Sequence, residues 1–287
     1  MNTNSKGYCS LLSPELEMAG TADPVDVWLM LEYPMSWKAK VLADNELASS
    51  TKEWLGKTIA ELENRGLKVR PQFIRQPEYD RGTTKLVVAT EGLCWSLEGV
   101  GYDYLHDLNV ASCLAQAPEG SEVISEPLYF VCMNGQRDIC CARFGRPVYQ
   151  ELRMQFGDRV WQVSHLGGHR FAPNVLSLPA GDVYGRLTSN GLSAFHAAIE
   201  QGELYFDCLR GVSWYSKSVQ AAQVFARQQG LNVVREEQRE GGVTEVTFSD
   251  ASSKDICVKV RQAEKPVMAL ASCKDDRLKP VHPYSRA

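Results

Sequence analysis

Residues 132–145, CMNGQRDICCARFG, and residues 165–174, HLGGHRFAPN, decide how this chain is read. Cys132 and Cys141 stand nine positions apart, and His165 and His169 stand four apart with Gly167 and Gly168 between them. Two thiolates and two imidazoles can close a four-ligand site. On a helix, the histidine spacing would put both rings on one face. Two glycines inside a helix, however, are each unfavourable by about 1 kcal/mol relative to alanine. The spacing therefore predicts a tight loop leaving a strand, where glycines at positive φ let the backbone approach a bound group. The competing reading is a glycine-rich turn whose histidines are satisfied by the backbone.

Cys132 closes the apolar strand of EPLYFVCMN, and Cys141 stands just before a helix, whose positive end lowers a thiol pKa. Adjacent side chains diverge, so Cys140 and Cys141 do not both face one ion. For this pair the alternative is a buried thiol plus a redox disulfide. Pro147 suits the first turn of that helix, with Val148, Leu152 and Phe156 on one face and Gly157 at its end. RVWQVS is then a strand that delivers the histidine loop, NVLSLP and VYGRL form a hairpin, and a helix over 191–201 is capped by Asn190. Arg137 and Asp138 read as an ion pair bracing the loop between the cysteines. Arg143 and Arg170 are cations suited to a reduced cofactor or a partner's acidic surface.

Outward from this stretch, VDVWLMLE from Val25 is a strand buried on both faces. A helix follows, with Ser50 and Glu53 as a capping box, the stripe Leu55, Ile59 and Leu62, and Gly66 as its stop. Strands at 67–75 and 85–91 flank the polar loop QPEYDRGTT, and the aromatics of 92–117 (Trp95, Tyr102, Tyr104) are read as packing residues. After the second unit come a helix over 218–229, strands near 231–237, 243–250, 256–262 and 267–272, and a proline-containing tail that includes a surface His282. The result is an α/β chain in three parts: an N-terminal α/β domain (1–120), a second α/β domain (121–205) and a C-terminal α+β extension (206–287). The element order of the second domain partly echoes the first, as a degenerate repeat would.

A net charge of −4 and scattered basic residues argue against nucleic acid as the main partner. No apolar run approaches a membrane span or a signal peptide, so a cytoplasmic chain with no membrane contact is expected. Nine cysteines, an odd number without small-domain density, favour free thiols or metal ligands over a disulfide framework. Cys94, Cys113, Cys208 and Cys257 read as ordinary buried thiols.

The quoted segments, together with 175–187, closely resemble the sucrase/ferredoxin-like family, relatives of the thioredoxin-like ferredoxins. The likeness extends more loosely to GTA at 20–22, to VWLMLEYPMSW and to the RG-x-S segment at Arg210. It implies a thioredoxin-like ferredoxin domain and a [2Fe-2S] cluster held by Cys132, Cys141, His165 and His169. Cys141 is preferred to Cys140 because C-A-x-x-G follows it. Met133-Asn134 stands where members often carry Thr-His, which argues against an extra histidine ligand. No local carboxylate arrangement identifies a glycosidase. The implied role is a redox carrier rather than a catalyst, exchanging electrons with separate donor and acceptor proteins.

Two thiolates would neutralise an oxidised [2Fe-2S] core, favouring a potential above the plant-type value of about −400 mV, as in Rieske centres at roughly −150 to +300 mV. Histidine ligation implies proton-coupled reduction. The alternatives are a structural zinc on the same four residues, or a thiol oxidoreductase using Cys140 and Cys141.

Overall fold

The computed structural model describes residues 7–78 and 82–287. Residues 1–6 of the lead-in and 79–81 of the loop QPEYDRGTT lie outside the described residues.

The chain opens with β1 (Val27–Glu32), α1 (Ser49–Asn64), β2 (Val69–Arg75), β3 (Thr83–Thr90), β4 (Leu93–Val100) and a short β5 (Glu122–Val123). Next come β6 (Leu128–Cys132), α2 (Ile139–Phe156), β7 (Val160–Val163), β8 (Val175–Leu178), β9 (Asp182–Tyr184), α3 (Ser189–Glu200) and β10 (Leu209–Val212). All ten strands belong to one curled mixed sheet, in the order β10-β9-β8-β6-β7-β2-β1-β3-β4-β5.

Within it the same layout occurs twice. β1 runs parallel to β2 and antiparallel to β3, which pairs antiparallel with β4. β6 stands in the same relation to β7, β8 and β9. The echo in element order is therefore a repeat of topology. The two copies meet where β2 pairs antiparallel with β7, through Ile74 with Val163 and Arg75 with Gln162.

Side-chain alternation explains why VWLMLE is wholly buried. Val27, Leu29 and Leu31 join Trp54, Leu55 and Leu62 of α1 in one core. Trp28 and Met30 point to the other face, where they share a core with Phe130, Cys132 and Trp161 of the second copy. Tyr129 and Val131 pack instead with α2 and α3. Trp95, Tyr102 and Tyr104 are packing residues, whose polar atoms donate to the carbonyls of Cys113, Glu32 and Thr84 respectively.

Several local expectations need correction. Helix α1 starts one residue before Ser50 and has Ala48 at its N-cap with no side-chain cap, so the capping box does not form. Asn190 lies inside α3, whose N-cap is Thr188. Helix α2 begins at Ile139, so Pro147 sits in its interior and Cys141 in its first turn. The cause is Asp138, whose carboxylate accepts from the Cys140 amide at 2.9 Å and caps the helix well upstream of the proline. Cys94 and Cys208 are buried, but Cys113 is half-buried and Cys257 exposed on an outward strand face.

The remaining chain forms α4 (Lys217–Ala226), then β11 (Asn232–Arg239), β12 (Val243–Ser249), β13 (Asp255–Gln262), β14 (Val267–Ala269), β15 (Lys279–Val281) and β16 (Tyr284–Arg286). The proline-containing tail forms strands of its own: β16 adds a fourth strand to β11-β12-β13 and β15 pairs with β14. His282 is exposed, with its Nδ1 2.8 Å from the Ala263 carbonyl. Among the described residues no helix is long and apolar enough to cross a membrane.

Asp182 in β9 is buried, with the Tyr184 hydroxyl donating to it at 3.2 Å, and burial pushes its pKa up to about 7. The folded chain therefore holds this proton where the unfolded chain, near 3.9, has released it. The contribution to stability is complete below pH 4 and is lost as pH rises to about 7, by up to ~4 kcal/mol. Urea unfolding across that range should show the decline, and Asp182→Asn should remove this part of it. An unchanged pH slope in the variant would refute the assignment.

Candidate metal centre

Three local structures deliver the four residues. Strand β6 ends at Cys132, whose amide donates to the Asn174 carbonyl at 3.0 Å. Helix α2 carries Cys141 in its first turn. It lies close to β6 because Gly145 has no side chain, and a Cβ there would stand 2.7 Å from the Cys132 carbonyl oxygen. The loop after β7 carries both histidines. Gln72 of β2, opposite that loop across the seam, accepts from the His165 amide at 2.8 Å and from the Ser164 hydroxyl at 3.0 Å.

The side chains meet in pairs. Cys141 Sγ is 3.2 Å from His169 Nδ1, and the two imidazoles stack with centroids 4.7 Å apart. Cys132 lies close enough to Cys141 and His165 for each to lower its pKa. Cys132, Cys141 and His169 are buried, while His165 is partly exposed. His165 Nδ1 is itself buried and has no hydrogen-bond partner among the described residues.

The protonation states agree with this. The hydrogen bond from the Cys141 thiol holds Cys132 well below the ordinary thiol range, with His165 adding to the effect against the cost of burial. Cys141 is pushed up, first by donating to Cys132 and then by burial. Burial, with His165 beside it, lowers the pKa of His169 and favours the neutral imidazole that ligates metals.

The residues expected to support the centre are distributed differently. Asp138 does not pair with Arg137: besides capping α2, it accepts from Ser272 Oγ at 2.7 Å and the Cys273 amide at 2.8 Å. Arg137 lines a cleft of about 430 Å³ beside His165, together with Lys40, Arg70 and Gln72. Arg143 lies over the Tyr8 ring, 4.9 Å from its centroid. Arg170 is half-buried, with its charge felt by Cys9. Cys140 turns away from Cys141, towards Cys9 at 3.6 Å and Cys273 at 3.1 Å.

Gly167 and Gly168 both take positive φ, as the loop requires. A Cβ at Gly168 would meet the Arg210 guanidinium at 2.5 Å. That arginine is the main element sequence reasoning missed. It is 2 % exposed and donates to the Gly167 carbonyl at 3.1 Å, Asn174 Oδ1 at 2.8 Å and the Thr21 carbonyl at 2.6 Å. Asn174 in turn donates to the Gly168 carbonyl at 3.1 Å. Arg210 also interacts electrostatically with Cys132. The two outlying segments, GTA at 20–22 and RG-x-S at 210–213, thus meet against the histidine loop, and their family likeness was the only signal pointing to Arg210.

Gly145→Ala provides a check on this packing. In an isolated helix the change favours folding by about 1 kcal/mol. Here the clash with a backbone carbonyl should reverse the sign and destabilise by ~1–3 kcal/mol in denaturant titration. A stabilised variant would show that α2 can move away from Cys132.

Comparison with curated proteins and with solved structures gives no match. The sequence profile of the Sucrase/ferredoxin-like family matches residues 18–211, which include Cys132, Cys141, His165, His169 and Arg210, and the chain belongs to that family.

Proposed function

We propose that this protein is an electron carrier in which Cys132, Cys141, His165 and His169 hold a [2Fe-2S] cluster. The approach of the buried Cys141 thiol to His169, whose ring stacks on that of His165, carries the reading, with the buried Cys132 beside them completing the donor set. The strand order β7-β6-β8-β9, with a parallel β-α-β unit followed by a hairpin, supports a thioredoxin-like ferredoxin layer for this half.

When bound, such a cluster supplies one-electron transfer. The two thiolates offset its positive charge, and the neutral imidazoles add none, so the donor set favours a potential above that of four-cysteine sites. Asn174, Arg210 and Gln72 fix the loop that presents the histidines. His165, the partly exposed imidazole, lines the cleft, which suits proton exchange with solvent as the electron arrives. Lys40, Arg70 and Arg137 make that rim basic, which suits acidic faces on redox donors and acceptors. Cys140 and Cys141 face different neighbours, so a redox couple between them is the weaker reading.

Anaerobically purified protein should be red-brown, with two irons and two sulfides per chain as a [2Fe-2S] cluster requires. A colourless protein with one zinc on these residues would sink the proposal. The midpoint potential should fall by about 59 mV per pH unit where one proton follows one electron. A midpoint independent of pH from 6 to 10 would exclude proton exchange at the histidines.

A further inference from the structure

The thiol that turns away from the histidines belongs to a second constellation. Cys9 from the lead-in, Cys140 from the first turn of α2 and Cys273 from the segment after β14 gather around Asp138. Their three sulfurs and a carboxylate oxygen all lie within 4.8 Å of one another. These segments are far apart in the chain, with 131 residues separating Cys9 from Cys140 and 133 separating Cys140 from Cys273. Cys9, Cys140 and Asp138 are buried and Cys273 is half-buried.

Spacing and charge point the same way. A tetrahedral zinc with bonds of about 2.3 Å sets its sulfurs about 3.8 Å apart. Cys9 and Cys140 stand at 3.6 Å and Cys140 and Cys273 at 3.1 Å, so small adjustments would admit an ion. Asp138 accepts only from neutral donors, namely the Cys140 and Cys273 amides and the Ser272 hydroxyl. Among the described residues no basic side chain forms an ion pair with it. A buried carboxylate beside three thiols calls for a counter-charge, and soft sulfur donors select zinc-like ions over magnesium or calcium. Arg170, half-buried beside Cys9 with Nη1 unpartnered, is placed to offset the excess negative charge of such a site.

We infer that Cys9, Cys140, Cys273 and Asp138 form a site for a zinc-class divalent ion that clasps the N-terminal lead-in and the C-terminal tail onto the start of α2. The site stands whether or not the histidine centre holds iron.

The test uses full-length protein purified under reducing conditions. Alkylation of Cys273, followed by peptide mass spectrometry, should speed up about tenfold when a zinc chelator is added. Cobalt in place of zinc should give thiolate charge-transfer bands in the near ultraviolet. These bands should vanish in Cys9→Ser and Cys273→Ser while iron content and the visible spectrum persist, and should survive in Cys132→Ser. Equal labelling with and without chelator would overturn the proposal without recourse to a variant. So would recovery of a Cys140–Cys273 disulfide from the native protein, or a cobalt spectrum that survives loss of both Cys9 and Cys273.

Discussion

Serine at position 141 should strip the protein of iron and colour, whereas serine at position 140 should leave both in place. The two residues are neighbours in sequence and both are buried, so bulk and location do not distinguish them. Direction does. The Cys141 sulfur lies 3.2 Å from His169 Nδ1 and bonds with Cys132, while the Cys140 sulfur contacts Cys9, Cys273 and the Ser10 hydroxyl. A serine hydroxyl is nearly the size of a thiol but does not ionise to a comparable ligand, so the substitution removes coordination with little repacking. Iron and sulfide should fall to background in Cys141→Ser and stay at wild-type levels in Cys140→Ser, with EPR of the reduced proteins reporting the same contrast. Equal losses in both variants, or the opposite pattern, would mean that the cluster does not use Cys141.

Arg210→Leu should destabilise the fold by ~3–5 kcal/mol, the range for breaking a buried charged network from one side. The guanidinium is completely enclosed, and burial lowers its pKa to about 10, which still leaves it charged at neutral pH. Its removal leaves the carbonyls of Gly167 and Thr21 and the Asn174 side-chain oxygen without their donor. Each such orphan costs about 1–3 kcal/mol when water cannot reach it. Arg210→Lys keeps the charge but loses the planar fork, so it should fall between leucine and wild type. Equilibrium unfolding in guanidinium measures the loss, and cluster occupancy should fall with it because the same contacts hold the histidine loop. A loss under about 1 kcal/mol would mean that water replaces the fork.

The placement of Cys132, Cys141, His165 and His169 was legible because each rests on local rules: a strand end, a helix start and a glycine loop. Those rules left the cysteine choice open, and the family likeness supplied the preference for Cys141. The start of α2 was misplaced because two helix signals competed. Proline suits a first turn, but Asp138, nine residues upstream of Pro147, binds the Cys140 amide and prevails. Ser50 and Glu53 had capping-box spacing, yet Glu53 instead pairs with Lys57 at 2.7 Å along the exposed helix face. Cys9 and Cys273 were illegible for a different reason. No local pattern links residues 264 positions apart, and only the folded tails bring them together. Strand identities were readable, whereas the seam joining β2 to β7 depends on pairing between distant segments that alternation alone does not encode.

That seam makes each topological copy the guard of the other. A strand at the rim of a sheet offers unpaired amides and carbonyls to any passing chain. Divided between β5 and β6, the protein would present β2 on one fragment and β7 on the other, each with an unpaired edge ready to recruit another strand. The division would also take Gln72 away from the His165 amide it holds at 2.8 Å. The N-terminal copy, which contributes none of the four proposed ligands, thus both covers a sheet edge and, through Gln72, holds the histidine loop.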